Sequence, residues 1–298
     1  MDSLAHPNNV TELILLGPTQ NPQLQKILFI VFLFIFLFTV LANLLIAITI
    51  SLSSTLSAPR YFFLTCLSFI HALYTSVTTP KMIMDLLYQR RIISLASCLS
   101  QLFVEHFLGG SEIILLIVMA YDHYVAICKA HHYVTIMRQG LCRLLVLVVW
   151  IGGVLHATLQ ILFMVNLPFC GPNVIDHFMC DLFPLLKLAC RDTYRLGMVV
   201  AANSGAMCLL IFSMLLTSYK VILSSLKSHG SEGQRKALST CGSHFIVVVP
   251  IFVPCIFTYM SLVVTLPVDK LVTVFFAILT PMFNPVIYTV RHKGENCH

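Results

Sequence analysis

The sequence predicts an all-α membrane protein, a bundle of seven transmembrane helices with the N-terminus outside the cell and the C-terminus in the cytoplasm. Hydrophobic residues make up 58% of the 298 residues and charged residues 10%, and the mean hydropathy is +0.90. Soluble domains usually contain about a quarter charged residues, so this composition argues against a water-soluble globular fold. The apolar residues also fall into blocks of about 20, the length that crosses a hydrocarbon core as a helix.

Seven apolar blocks are predicted to span the bilayer as helices, because a helix satisfies its backbone hydrogen bonds within its own segment. A β-barrel is disfavoured, since Leu28–Leu41 shows no alternation of apolar and polar residues. In chain order, the predicted spans are Ile27–Ile50, Phe62–Leu87, Leu99–Ile127, Leu141–Leu167, Leu196–Leu223, Phe245–Val264 and Leu271–Val290. The chain is predicted to form one domain over 1–298, with an extracellular tail at 1–26, the bundle at 27–290 and a short cytoplasmic tail at 291–298.

The orientation is predicted from the basic residues. With seven spans, ten of the 18 Lys and Arg residues lie on the side of the C-terminus, which the positive-inside rule assigns to the cytoplasm. The sequence Asn9-Val10-Thr11 is a glycosylation sequon in the N-terminal tail and agrees with this orientation. The first 20 residues lack a basic start and an apolar core, so the first helix is expected to direct membrane insertion.

Four of the eleven cysteines fall on the predicted outer face, where oxidising conditions favour disulfides. They are Cys98, at the end of the third span, and Cys170, Cys180 and Cys190 in the long loop Asn166–Arg195. Four cysteines allow three sets of pairings, and their spacing does not choose among them. The three loop cysteines predict that this loop is pinned over the mouth of the bundle.

Several motifs occur in order along the chain. Residues 119–128 read MAYDHYVAIC at the end of the third span. This segment resembles MAYDRYVAIC, the form of the DRY motif in odorant receptors, a family of rhodopsin-like G-protein-coupled receptors. Similarly, PRYFFL at 59–64 resembles PMYFFL, KALSTCGSH at 236–244 resembles KAFSTCxSH, and PMFNPVIY at 281–288 resembles PMLNPxIY. The resemblance covers nearly the whole chain.

The resemblance implies a multi-pass receptor of the plasma membrane. Binding of an odorant outside would be converted into a helix movement inside, which activates a heterotrimeric G protein of the stimulatory, olfactory class and raises cAMP. It also implies disulfides between Cys98 and Cys180 and between Cys170 and Cys190. The residues that it assigns to G-protein coupling and switching are Asp122, His123, Tyr124, Tyr219, Lys236, His244, Asn284, Pro285 and Tyr288. Those that it assigns to a polar centre of the bundle are Asn43, His71 and Glu112.

A ligand pocket is predicted from helical spacing. His106, Gly109 and Gly110 lie at i, i+3 and i+4, so they share one face of the third span below Cys98. The two glycines leave room for a ligand and His106 offers a polar anchor, although close helix packing through glycine explains the same pattern equally well. Similar spacing adds Asn203, Met207, Phe252, Cys255 and Tyr259. Such a pocket suits a small, mostly apolar volatile molecule; no counter-ion for an amine is compelling, and Glu105 beside this face is a minor option.

The two main departures from the family pattern are at His123 and His71. His123 replaces the Arg of the DRY motif, which in the family engages the G protein, and histidine is shorter and mostly neutral near pH 7. His71 replaces the Asp of LSFID, and a histidine facing Glu112 would form an ion pair or a neutral hydrogen bond. This replacement puts a sodium site of the usual kind in doubt. The sequence therefore predicts a receptor that folds but signals weakly.

Other functions have less support from the sequence. A decayed, non-signalling receptor homologue is the main alternative, whereas a small-solute transporter needs repeats with broken helices that are not evident. No enzyme is predicted, because the HExxH motif is absent. His177 and Cys180 have a spacing that suits zinc, but Cys180 is wanted for a disulfide, so neither a metal nor another cofactor is predicted. The predicted partners are an odorant, a G protein and the lipid bilayer, with no nucleic acid.

Overall fold

The computed structural model of the chain describes residues 10–53, 58–88, 91–165, 167–169, 173–190, 192–226, 242, 245–246, 248–253, 255–256 and 267–285. Its helices are α1 (Pro22–Leu52), α2 (Pro59–Tyr88), α3 (Leu95–Cys128), α4 (Tyr133–Ile136), α5 (Gln139–Val165), α6 (Leu182–Leu186), α7 (Tyr194–Leu226) and α8 (Pro267–Val274). Five of these helices, α1, α2, α3, α5 and α7, are long and apolar enough to cross a membrane. The shortest of the five has 27 residues, which at 1.5 Å per residue is about 40 Å and exceeds a hydrocarbon core of about 30 Å.

The five long helices coincide with the first five predicted spans. Parts of the sixth and seventh predicted spans lie outside the described residues. In the sixth, 248–253 and 255–256 are helical. The seventh begins as α8 and continues through a π-helical turn at Phe275–Leu279.

Local sequence signals explain where two of the long helices begin. The side-chain oxygen of Asn21 accepts a hydrogen bond from the backbone N–H of Leu24 at 3.4 Å, and Pro22 follows at the first helical position, where its fixed φ suits a helix. Ser94 caps α3 by accepting the N–H of Ser97 at 3.1 Å. Both caps satisfy backbone donors that would otherwise lack partners.

The π-helical turn has a local cause. Pro281 has no N–H to donate, and its ring crowds the carbonyl group of Ala277, four residues earlier. The turn before Pro281 widens, and the hydroxyl of Thr280 donates to the carbonyl oxygen of Phe275 at 3.2 Å. A π-helical turn inside a helix often lies at a functional site. It is also one of the recognised causes of a helix kink.

Helix α3 packs against α2, α5 and α7. Helix α5 approaches it closely at Gly153, where a β-carbon would collide with the hydroxyl of Ser111 and the carbonyl oxygen of Phe107. Helix α1 packs on α2 and turns a broad apolar face outward, with Phe34 71% and Leu41 65% exposed. An apolar surface of this extent suits contact with lipid.

Three short strands form a small sheet that the all-α prediction did not include. The strands are β1 (Glu12–Leu15), β2 (Ile92–Ser94) and β3 (Val174–Ile175). β1 pairs antiparallel with β2, which places Leu13 opposite Ile93, and parallel with β3, which places Leu15 opposite Ile175. Leu13 and Leu15 are buried, so part of the predicted tail packs on the bundle. We call this the sheet end of the bundle.

The long loop after α5 is anchored at the sheet end. A disulfide joins Cys98 of α3 to Cys180 of the loop, which is the pairing implied by the family resemblance. Helix α6 follows directly, and the carboxylate of Asp181 accepts the N–H of Leu182 at 2.6 Å at its start. Leu182 and Leu185 pack in one apolar cluster with the strands. The loop is therefore pinned over the bundle, as its cysteines predicted.

Candidate functional site

A cavity of about 110 Å³ lies between the helices, beneath the loop that carries Cys180. Helices α2, α3, α5, α7 and α8, the loop and residue 255 contribute to its wall. The described residues that line it are Tyr74, Glu105, His106, Gly109, Gly110, Ile113, His156, Met179, Asp181, Ser204, Met207, Cys208, Cys255, Val272 and Thr273. This set holds two carboxyl groups and two imidazoles, but no Lys or Arg.

Most of the pocket residues predicted from helical spacing meet in this cavity. His106, Gly109, Gly110, Met207 and Cys255 line it. Asn203 does not, because it is exposed on the outer side of α7 while its neighbour Ser204 faces inward. Phe252 is fully buried and stacks on Phe212, with ring centroids 5.6 Å apart, instead of lining the cavity.

Other lining residues were missed by helical spacing. His156 is a polar residue within an apolar span, and this signal was available in the sequence, because polar groups at such depth usually face the bundle interior. Cys208 lies beside Met207, and its sulfur is 2.7 Å from that of Cys255. Met179 and Asp181 carried no local signal, since their position depends on the disulfide at Cys180.

The two glycines of α3 have different roles in this cavity. A β-carbon at Gly110 would lie 3.1 Å from the ring of His156, so Gly110 makes room for that imidazole. A β-carbon at Gly109 would meet nothing within 4 Å, so Gly109 leaves open space. The rings of His106 and His156 stack with centroids 6.0 Å apart. His106 donates from Nδ1 to the carbonyl oxygen of Leu102 at 2.9 Å, which leaves Nε2 as a hydrogen-bond acceptor.

A buried polar core joins several helices further along α3. Nε2 of His71 lies 2.7 Å from Oε1 of Glu112, and the amide of Asn284 donates to Nδ1 of His71 at 3.2 Å. The amide of Asn43 donates to the carbonyl oxygen of Pro281 at 3.1 Å. All three side chains predicted for the polar centre are therefore buried, and hydrogen bonds tie α1, α2, α3 and the seventh span together.

The residues of this polar core do not fit the sodium ion that the family resemblance implies. A sodium ion, as a hard cation, requires oxygen ligands. The imidazole of His71 instead offers nitrogen, and it already takes one carboxylate oxygen of Glu112. A sodium site would require a second carboxylate at the position of His71. This chain has there an imidazole that is hydrogen-bonded to Glu112.

At the end of α3 opposite the sheet, Asp122 is buried and accepts a hydrogen bond from the hydroxyl of Tyr133 at 2.9 Å. Burial raises the pKa of Tyr133, and the charge of Asp122 raises it further. His123 is 9% exposed, Tyr124 is half-buried, and Tyr219 of α7 packs edge-on against Phe245. The predicted site residues that lie outside the described residues are Asn9, Cys170, Lys236, His244, Tyr259 and Tyr288.

His177 is enclosed by the loop. It is 3% exposed, its ring stacks on Phe178 with centroids 4.5 Å apart, and its Nδ1 accepts the N–H of Met179 at 3.3 Å. Burial lowers the pKa of His177, while the charge of Asp181 opposes this shift. Because Cys180 is in the disulfide, its sulfur is not available to form a thiolate metal site with His177.

The loop is therefore expected to lose stability in mild acid. The folded pKa of His177 lies below the unfolded value of about 6.5, so its contribution is complete above that pH and is lost as the pH falls. Between pH 7.5 and 5.5, the Tm of wild type should therefore fall further than the Tm of His177→Gln. Thermal unfolding of the two purified proteins at each pH measures the difference. The charged groups near His177, which are Asp176, Asp181 and Lys270, are the same in both proteins. Equal pH dependence in both proteins would rule out His177 as the cause.

Comparison with known proteins identifies related sequences along nearly the whole chain. Residues 32–296 match the family model described as Olfactory receptor. Human olfactory receptor 4A47 is 54% identical over 285 residues, which cover 96% of this chain and 92% of that receptor. Human olfactory receptor 4S2 is 53% identical, with the same coverage. Mouse olfactory receptor 4B13 is 51% identical over 289 residues, 97% of this chain and 95% of that receptor.

Proposed function

The chain belongs to the olfactory receptor family of seven-transmembrane receptors, and we propose that it binds a small volatile ligand and raises cAMP through a heterotrimeric G protein of the stimulatory, olfactory class. Members of this family are multi-pass signalling receptors of the plasma membrane and not enzymes. The observation that carries the proposal is the cavity of about 110 Å³ between the helices, beneath a loop anchored by a disulfide.

The proposed topology has seven spans, with the sheet end outside and the end of α3 that bears Asp122 in the cytoplasm. The Cys98–Cys180 disulfide supports this orientation, because disulfides persist in the oxidising exterior. Glycosylation of Asn9 and a bond between Cys170 and Cys190 would belong to the same outer face, and Cys190 is disulfide-bonded.

The size and wall of the cavity support a small ligand. The enclosed volume is about 110 Å³. Met207, Cys208 and Ile113 offer apolar contact, and His106 offers an acceptor nitrogen. We propose that the lining residues His106, Gly109, Gly110, Met207 and Cys255 contact the ligand. Few polar contacts and a small buried area give modest affinity.

Helix α3 supports a route from ligand to G protein. It carries Gly110 at the cavity, Glu112 in the polar core and His123 near its other end. Gly110 and His123 are about 20 Å apart along the axis, at 1.5 Å per residue. A ligand that favours one of two packings around α3 would shift the population at its far end. The hydrogen bonds between His71, Glu112 and Asn284 lie on this route.

The variant His123→Arg is expected to increase the maximal cAMP response about tenfold. Arg is longer, permanently charged and able to donate several charge-assisted hydrogen bonds, and one such contact is worth about 1.4 kcal/mol, or a factor of ten. The measurement is a cAMP reporter in cells challenged with a panel of odorants, with surface expression quantified. The double variant His123→Arg/His71→Asp tests whether the polar core also limits signalling.

The matched control is His132→Arg, which adds the same side chain at an exposed position near the same end of the bundle. It should respond like wild type. Detectable cAMP responses of equal size from all variants would exclude His123 as the limiting residue. Silence from every variant at the cell surface would instead favour a non-signalling receptor homologue, the second candidate, to which the replacement of the motif arginine by His123 points.

A further inference from the structure

We propose that the ligand of the cavity is a small protonated amine whose ammonium group binds Glu105. This inference rests on the proposed function, because it names the chemical class of ligand for the same cavity. Glu105 lines the cavity on α3 and is 7% exposed. Its Oε1 has no hydrogen-bond partner among the described residues.

Oε1 of Glu105 is one of several buried polar atoms that have no partner among the described residues, and it is the one of them that lies at the cavity wall. Buried polar groups in folded proteins nearly always have a hydrogen-bond partner, and an orphaned one calls for an explanation such as a missing ligand. A buried charge costs far more than a buried neutral group unless an opposite charge compensates it. An ammonium group in the cavity would donate to Oε1 and supply the opposite charge that the described lining residues do not provide.

The surrounding charges favour a cation over an anion. Asp181 lines the same cavity and contributes a second carboxyl group. The described lining residues include no Lys or Arg, and Lys270, which lies near the loop, pairs with Asp176 at 2.6 Å. No salt bridge to Glu105 occurs among the described residues. A carboxylate ligand would meet like charge here, whereas an ammonium group would meet opposite charge.

Glu105 is the better anchor of the two acids. Asp181 already accepts the backbone N–H of Leu182 at the start of α6, so one of its two carboxylate oxygens already has a hydrogen-bond donor. The apolar part of the ligand would extend from Glu105 along Gly109, where a β-carbon would meet nothing within 4 Å, towards Met207 and Cys208. The cavity thus has an acidic group for the head and apolar surface for the tail.

A matched series of three ligands tests this inference. Isoamylamine, isoamyl alcohol and isovalerate share nearly the same carbon skeleton and are cationic, neutral and anionic near pH 7. The full chain, purified in lipid nanodiscs, is titrated with each, and the ligand-dependent rise in Tm gives Kd. Isoamylamine should bind at least tenfold more tightly than the alcohol, and isovalerate should not raise the Tm.

The variant Glu105→Gln should weaken isoamylamine binding by about 10- to 100-fold, because a hydrogen bond to a charged group contributes about 1.5–3 kcal/mol. Its affinity for isoamyl alcohol should change little. The amide is nearly isosteric and removes an uncompensated buried charge, so the unliganded variant should be at least as stable as wild type. Glu12→Gln, which makes the same change at an exposed position in β1, should bind all three ligands like wild type.

Equal binding of amine and alcohol by wild type, unchanged amine binding by Glu105→Gln, or no rise in Tm with isoamylamine would each overturn the inference. The same ligands in the cAMP reporter separate it from the proposed function. Amine binding without a cAMP response leaves the ligand class standing and contradicts the signalling proposal. A cAMP response to neutral odorants without amine binding does the reverse.

Discussion

Replacement of Cys98 by serine is expected to lower the free energy of unfolding by about 2–4 kcal/mol and to keep most of the protein from the cell surface. The disulfide to Cys180 closes a loop of 82 residues, for which the loss of chain entropy in the unfolded state is about 4.5 kcal/mol. Helices that persist in the unfolded state in detergent already restrict the chain, so the measured loss should be smaller. Thermal and chemical unfolding of the purified protein give the value.

Loss of the Cys98–Cys180 disulfide should also change the shape of the ligand cavity. Met179 lies directly before Cys180 and Asp181 directly after it, and both line the cavity. Cys180→Ser and the double variant should match Cys98→Ser, because either change removes the same bond. Cys66→Ser, which removes a free cysteine, is the control and should unfold like wild type. A stability of Cys98→Ser equal to that of Cys66→Ser would contradict the structural role of the disulfide.

The second large effect is expected at the polar core. His71→Ala should lower the free energy of unfolding by about 3–5 kcal/mol, because removal of one partner leaves the other buried and unpaired. His71 is fully buried and Glu112 is 4% exposed, so water cannot easily replace the lost contact. Asn284 would also lose its acceptor on Nδ1 of His71. The measurement is chemical unfolding of the variant in detergent, in which the loss of helical structure is monitored by circular dichroism.

A double-mutant cycle identifies the cause. His71→Ala/Glu112→Ala removes both groups and leaves no unpaired carboxylate, so its loss should be smaller than the sum of the two single variants by about 2 kcal/mol. His132→Ala, at an exposed position, provides the control for removal of a histidine as such. Strictly additive losses would mean that the 2.7 Å contact between His71 and Glu112 does not contribute to stability.

The membrane-spanning helices could be predicted from sequence because their signal is local. Each of the first five spans contains a predominantly apolar stretch of at least 18 residues, and Asn21-Pro22 before α1 is a local helix-start signal. The i, i+3, i+4 spacing on α3 correctly brought His106, Gly109 and Gly110 to one wall. It misplaced Asn203, since one residue along a helix turns the side chain by about 100° and the cavity is on the side of Ser204.

The cap of the bundle could not be predicted in this way. β1 has four residues and β3 has two, and segments so short have no periodicity that separates a strand from a loop. Their pairing joins positions more than 70 residues apart, Leu13 with Ile93 and Leu15 with Ile175. The tail therefore packs on the bundle only because three distant segments meet at the sheet end.

The sequence by itself determined the membrane class, the first five helices, the family and the presence of His71 and His123, because hydropathy and motifs are properties of neighbouring residues. Only the tertiary structure decided that His71 contacts Glu112, that Asp181 joins Glu105 at one cavity and that Gly110 makes room for His156. These contacts depend on the rotation and approach of whole helices. The rotation of each helix and its distance from its neighbours depend on the packing of all the side chains together, so they cannot be predicted from a local sequence pattern.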